Sequence, residues 1–192
     1  MIKNKSILAI IPARKGSKRL VGKNMLDLKG KPLIAWTIEE ALKSKYIDNI
    51  IISTDDENII NLSKQYKGIN IPFIRPKELS SDKATSLDVV LHALSFYRSN
   101  DKNFDYVMVL QPTSPLRKSK DIDNSIEELT EEIKSVVSVC ETDHSPLWSN
   151  KLPENKSMKN FLSKEFLNLR SQDLPKYYRL NGAVYISEVK YL

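Results

Sequence analysis

The chain has 192 residues, 41% of them hydrophobic, with a formal net charge of +6 at neutral pH; that length suits one domain with a sizeable core. Five glycines and nine prolines exclude a collagen-like or low-complexity chain, and no run of about 18 apolar residues is present to span a bilayer. A single cysteine, Cys140, excludes an internal disulfide, and the start MIKNKSILAII is too short in apolar residues for a signal peptide, so the chain reads as cytoplasmic. The basic charge suits nucleic acid, an anionic membrane or an anionic small molecule. The cations are spread along the chain and aromatic interleaving is thin, so charge alone does not choose.

Residues 7–11 form an uninterrupted apolar run, which predicts a strand covered on both faces. Immediately after it, IPARKGSKRLVGKN at 11–24 carries Arg14, Lys15, Lys18, Arg19 and Lys23 with Gly16 and Gly22. The glycines permit backbone conformations in which successive N–H groups face an anion, and the cations can pair with phosphate oxygens. The GxxxxGK[ST] spacing is absent, so this is not a P-loop. A polyphosphate cradle and a solvated basic loop both remain open. Asn24 can donate and accept together, as reading a base edge requires, or simply form a turn.

Pro32 opens a helical stretch through residue 44, at the first-turn position where its missing N–H costs nothing. Residues 49–53 predict a second strand. Thr54 to Glu57 have capping-box spacing, so helix capping by Asp55 and Asp56 is preferred over contact with a ribose or metal. Residues 71–74 predict a third strand, ended by Arg75-Pro76. A helix follows over 82–98, with Leu87, Val90, Leu91 and Leu94 on one face and His92 among structural core positions. Arg75 and the hydroxyl-rich stretch 80–86 make either a second anion site or a helix cap supplied by Ser81 or Asp82.

Residues 106–110 predict strand four, and LQPTSPLR at 110–117 is a proline-pinned turn. Gln111 there projects a neutral hydrogen-bonding group into a crevice, or belongs to an ordinary tight turn. A helix over 119–133 and a strand over 135–140 follow, with Cys140 as a buried inert thiol. One Cys and two distant His argue against a closed zinc site. Residues 142–176 break the rhythm, and 182–186 resume as a final strand. Strand–helix alternation of this kind predicts an α/β fold, a mainly parallel sheet with helices on both faces. Ligands then bind beyond the carboxyl ends of the strands.

IPARKGSK with Lys23-Asn24, GKPLI at 30–34, ISTDDE at 52–57, FIRPKELSSD at 73–82, LQPTSPLR, SVVSV at 135–139 and YRLNGAVYI at 178–186 stand in collinear order over nearly the whole chain. In them the sequence resembles the acylneuraminate cytidylyltransferases, or CMP-sialic acid synthetases. The resemblance implies one Rossmann-like nucleotidyltransferase domain over 1–192. Its residues 142–176 would form a small dimerisation extension, so the protein would be a homodimer acting on neither nucleic acid nor membrane. It implies that Arg14, Ser17 and Lys18 hold the triphosphate of CTP, that Lys23 and Asn24 read cytosine, and that Arg75 and Ser86 contact the nucleotide. Gln111, Asn181 and Tyr185 would face the sugar. The anomeric hydroxyl of a nine-carbon 2-keto sugar acid would attack the α-phosphorus and expel pyrophosphate, with charge stabilised by Arg14, Lys18, Lys23 and Mg²⁺.

Three departures from the resemblance bear on these expectations. Family members continue to an Asp-x-Asp pair that ligates magnesium, which this chain lacks before Leu192; the C-terminus is therefore expected to be incomplete and the metal ligands are unassigned. Trp148 stands where some members have Lys, and Ser171 where an Arg usually precedes Gln172, which leaves legionaminate- and pseudaminate-type acids open beside sialic acid. Two rival readings accompany the enzyme: a non-catalytic nucleotide-binding or dimer-partner protein, and a basic nucleic-acid-binding module motivated by a pI near 9.2 alone.

Overall fold

Strand β1 (Ile7–Pro12) lies in the middle of a six-stranded sheet in the computed structural model, which describes residues 5–16 and 20–192. The other strands of that sheet are β4 (Asn49–Ser53), β5 (Ile69–Asn70), β6 (Tyr106–Val109), β7 (Ser135–Glu141) and β8 (Tyr178–Glu188), in the order β5-β4-β1-β6-β8-β7. A two-residue hairpin of β2 (Asp27–Leu28) and β3 (Lys31–Pro32) stands apart. β1 runs parallel to β4 and β6, β4 runs parallel to β5, and β8 runs antiparallel to β6. The sheet is mainly parallel, as the alternation predicts.

The unbroken apolar run of β1 is explained by burial on both sides. Ile7, Ala9 and Ile11 enter a cluster with Ile34 and Ile38 of helix α1 (Leu33–Leu42), Ile59 of α2 (Glu57–Ser63) and Ile122 of α4 (Ser119–Glu127). Leu8 and Ile10 point the other way, into Val89, Val90, Ala93 and Leu94 of α3 (Ser86–Arg98). No residue from Ile7 to Ile11 is more than 3% exposed, and each such burial stabilises by about 1.5–3 kcal/mol. Among the described residues no helix is long and apolar enough to cross a membrane.

Several expected boundaries move, each for a physical reason. The third strand is Ile69–Asn70, not 71–74: Pro72 has no N–H to donate, and in that stretch only Ile74 bridges back, to Thr54. Helix α3 starts at Ser86 because Thr85, not Ser81 or Asp82, is the cap, in a reciprocal capping box with Asp88. Its core face is Val89, Val90, Ala93, Leu94 and Tyr97, while Leu87 and Leu91 are exposed. α4 stops at Glu127, and the Thr130 hydroxyl then accepts from the Glu132 and Ile133 N–H groups in a local turn. Pro32 is the N-cap of α1 rather than its first residue, and Asp56, not Thr54, caps α2. Cys140 is half-buried.

The chain divides into two compact units, Met1–Ser138 with Gly182–Leu192, and Val139–Asn181. The second contains the single 3-10 turns Pro146–Trp148, Lys164–Phe166 and Ser171–Asp173. Thr142 N–H donates to the Tyr177 carbonyl at 2.9 Å within it, and large side chains such as Leu152, Met158, Leu167 and Leu180 are exposed.

Candidate functional site

From β1 the chain order runs one way to β4 and β5, and the other way to β6. The carboxyl ends of β1 and β6 therefore flank the point where the strand order reverses, where open α/β sheets take their ligands. A cleft of about 370 Å³ opens there in the first unit.

The first wall is the basic loop, tied down at its start. Ala13 N–H donates to the Ser53 carbonyl at 2.9 Å, and Thr54 Oγ1 donates to the Ala13 carbonyl at 2.5 Å. Asp55 accepts from Lys15 N–H at 2.7 Å, so this carboxylate anchors the loop rather than capping α2. Gly22, at φ 63, opens the 3-10 turn Lys23–Met25, and Arg14, Lys23 and Asn24 line the cleft. Arg14 Nη2 donates to Asp82 at 2.7 Å, and its Nη1 to the Ser80 carbonyl at 3.2 Å.

The second wall comes from Arg75 and the start of α3. Arg75 is 5% exposed; its backbone N–H donates to the Thr54 carbonyl at 2.8 Å, its Nε to Ser53 Oγ at 3.0 Å, and its Nη2 to the Ser53 carbonyl. Burial lowers the Arg75 pKa to about 10, a shift opposed by the Asp55 charge and reinforced by Arg14. Thr85 and Ser86 bring the amino-terminal turn of a thirteen-residue helix to the same space, where its dipole favours an anion.

Gln111, Pro112 and Thr113 supply the third wall, just past β6. The turn behind them closes through Ser114 N–H to the Gln111 carbonyl and Arg117 N–H to the Ser114 carbonyl, at 3.3 and 3.2 Å. Gln111 and Ser86 also border a second, mainly apolar groove of about 480 Å³ that runs beside β6 and β8 and is lined by Tyr185. Three cations, a helix start and two neutral amides thus face one cleft. That set suits an anionic ligand carrying a hydrogen-bonding ring or polyol. Among the described residues no group of three His, Cys, Asp or Glu side chains could hold a metal ion.

Of the residues expected from sequence, Arg14, Lys23, Asn24, Arg75, Ser86 and Gln111 meet at this cleft. Tyr185 lies in the adjoining groove, and Asn181 belongs to the second unit. Ser17 and Lys18 lie outside the described residues. Thr85 lines the cleft within the hydroxyl-rich stretch expected there, but sequence reasoning gave the cap to Ser81 or Asp82, although Thr-x-x-Asp at 85–88 is the usable signal. Sequence reasoning also missed Arg117, which is buried and ties the turn to the sheet. His92, expected among core positions, is only half-buried, its ring edge-on to Phe73 at 4.5 Å.

Residues 8–188 match the family described as Cytidylyltransferase. The chain is 40% identical over 190 residues to a CMP-N,N'-diacetyllegionaminic acid synthase of Legionella pneumophila, covering 96% of this chain and 78% of that protein. It is 39% identical to a pseudaminic acid cytidylyltransferase of Campylobacter jejuni, covering 95% and 78%. With an N-acylneuraminate cytidylyltransferase of Escherichia coli it shares 36% identity, over 94% of this chain and 42% of the longer protein. Among solved structures, a CMP:2-keto-3-deoxy-manno-octonic acid synthetase complexed with CTP superposes with a TM-score of 0.67 at 19% identity, covering 95% and 74%. A 4-diphosphocytidyl-2C-methyl-D-erythritol synthase of Anaerococcus prevotii gives 0.66 at 19%, covering 97% and 71%. At that identity the structural likeness establishes the fold, a Rossmann-like nucleotidyltransferase domain.

Proposed function

The chain belongs to the cytidylyltransferase family, and on that premise we propose that it transfers CMP from CTP to the anomeric hydroxyl of a nine-carbon 2-keto sugar acid. It is a nucleotidyltransferase. The relatives named for legionaminic, pseudaminic and neuraminic acids support this acceptor class. The hydroxyl oxygen bonds to the α-phosphorus as the α–β bridging bond breaks, and pyrophosphate leaves with the bridging oxygen.

What carries the reading is the convergence of Arg14, Lys23 and Arg75 with the start of α3 on one cleft at the strand-order reversal. In this reading Arg14 and Lys23, with Ser17 and Lys18 of the same loop, hold the triphosphate and offset charge gathering on its oxygens. Fixed donors of this kind need no reorganisation during reaction. Asn24 reads the cytosine edge, Arg75 and Ser86 hold the phosphate side, and Gln111 and Tyr185 take the sugar. The +6 charge then serves nucleotide phosphates rather than nucleic acid. Among the described residues no three His, Cys, Asp or Glu side chains come together to hold a metal ion, so Mg²⁺ would be held chiefly by the nucleotide's phosphate oxygens, where it would offset their charge. Residues 142–176, with their exposed leucines and Met158, serve as the dimerisation extension of a cytoplasmic homodimer.

The test is pyrophosphate release by purified full-length protein given CTP, Mg²⁺ and, separately, legionaminic, pseudaminic and N-acetylneuraminic acids. Release with at least one acid, and none with GTP or ATP at equal concentration, is expected. No release with any of the three would overturn the reading.

A further inference from the structure

Gln111 stands where the cleft meets the apolar groove, and two residues outside the cleft hold it there. Arg117 is 4% exposed. Its Nη1 donates to the Gln111 carbonyl at 3.2 Å and to the Ala183 carbonyl at 2.6 Å, and its Nη2 donates to Thr37 Oγ1 at 2.7 Å. These acceptors are neutral, and among the described residues the buried Nε has no partner. Burying a guanidinium on neutral acceptors is costly, and the burial lowers the Arg117 pKa to about 10. A planar fork can nonetheless fix several acceptors at once, which an ammonium cannot. Here it clamps the end of β6, the start of β8 in the first unit and the helix α1 to one another.

The second residue is Gly182. Its φ of +74 lies in the left-handed region, and a Cβ built there would sit 2.8 Å from Gln111 Oε1 and 3.4 Å from its Cδ. Only a bare backbone leaves room for the amide in its present place. Gln111 is the far end of a flexible side chain, so any larger residue at 182 would turn it away rather than be turned itself. Arg117 fixes the backbone of residue 111, and Gly182 fixes where its side chain can lie.

We propose that Arg117 and Gly182 are positioning residues that aim the Gln111 amide at the sugar acid, and so set acceptor use without touching either substrate. This rests on the cytidylyltransferase reading above. Gly182→Ala is expected to lower kcat/KM for the sugar acid by about 10- to 100-fold, as an ångström-scale misplacement does, while the KM for CTP changes less than about 3-fold. A purely structural role for Gly182 would instead act through its φ alone. The double-mutant cycle with Gln111→Ala separates the two: the Gly182→Ala loss should nearly vanish when Gln111 is already shortened, and additive losses would overturn the proposal. Gly30→Ala is the control, because Gly30 shares a positive φ of 90 but has open space around its Cβ position; it should melt lower and keep the wild-type KM for the acid.

Arg117→Lys keeps the charge and loses the fork. It should give the same split between acid and CTP, and it serves should Gly182→Ala fail to fold. A wild-type KM for the acid in Arg117→Lys overturns the role assigned to Arg117. The Gln111 side-chain amide resonance, identified by its loss in Gln111→Ala, provides a readout that needs no turnover. It should shift in Gly182→Ala and Arg117→Lys and stay in place in Gly30→Ala; an unmoved resonance overturns the proposal. Should the wild-type protein release no pyrophosphate, the enzymatic reading fails, and the resonance still decides whether these two residues hold Gln111.

Discussion

Arg14 and Asp82 meet at 2.7 Å, a guanidinium on the cleft wall paired with a carboxylate just before α3. Both side chains are about a third exposed, so the pair contributes only about 0.2–1 kcal/mol. On the proposed reading a triphosphate binding at Arg14 would compete with it. Asp82→Asn should then bind CTP about 1.4- to 5-fold tighter, the affinity equivalent of that energy. Titration calorimetry without the sugar acid reads this directly. Weaker binding would mean that Asp82 orients Arg14 rather than competing for it.

Arg75 lies in a different energetic regime. It is buried on the hydroxyl and carbonyl of Ser53, and among the described residues no carboxylate is hydrogen-bonded to it, so its charge is held at a cost that a phosphate would offset. Arg75→Met should lower CTP affinity by roughly 10- to 100-fold, the loss of a charge-assisted hydrogen bond. The unfolding free energy should change by less than about 1 kcal/mol, because relief of the buried charge offsets the bonds lost to Ser53. Denaturant titration beside the binding measurement separates the two effects.

His92 links this cationic region to acid sensitivity. Burial chiefly, and the Arg75 charge secondarily, hold its pKa below the ordinary histidine value. The folded protein thus resists a proton that the unfolded chain accepts readily. The contribution is complete above about pH 6.5 and declines as pH falls through that value towards the folded pKa. His92→Phe should flatten the loss of stability between about pH 7 and 5, seen in thermal melts at stepped pH. An unchanged slope would assign it to other groups.

Thr85→Ala should cost about 1 kcal/mol of stability by removing the cap of α3. Asp88 accepts from Thr85 N–H and Oγ1 at 2.7 and 2.8 Å, and these bonds, the backbone one first, lower its pKa. A lowered carboxyl pKa contributes above the unfolded value, about 3.9, and stops contributing as pH falls through the folded one. The gap between wild type and Thr85→Ala should accordingly narrow below about pH 4. A gap that stays constant into acid would mean that the Asp88 half of the box is idle.

The elements that read well from sequence are those fixed by burial on both sides. The unbroken run of β1 and the five apolar and polar positions of β4 announce themselves because a parallel strand between helix layers has no solvent face to alternate with. The cleft cations were legible because a basic loop with glycines directly after such a strand is an unusual thing to place at a sheet's carboxyl edge. The residues that misled are those whose partners come from far along the chain. Asp55 has the spacing of a capping residue, yet its carboxylate is taken by Lys15 N–H, forty residues earlier. Nothing local in LQPTSPLR tells that Arg117 reaches Thr37 and Ala183, eighty and sixty-six residues away. Leu87 and Leu91 kept helical spacing but missed the core because the face of α3 packed on Leu8 and Ile10 is the one carrying Val89, Val90, Ala93 and Leu94.

The antiparallel run of β8 is what lets its leading edge, Gly182 and Ala183, stand beside the trailing edge of β6. Arg14, Lys23, Arg75 and the start of α3 reach the cleft from the first eighty-odd residues, while the space beside Gln111 is bounded from Gly182. If the proposed role of Gly182 holds, a change at position 182 would alter acceptor use through Gln111 while leaving the cleft cations untouched, because the bare backbone at 182 is packed against Gln111 and not against Arg14, Lys23 or Arg75.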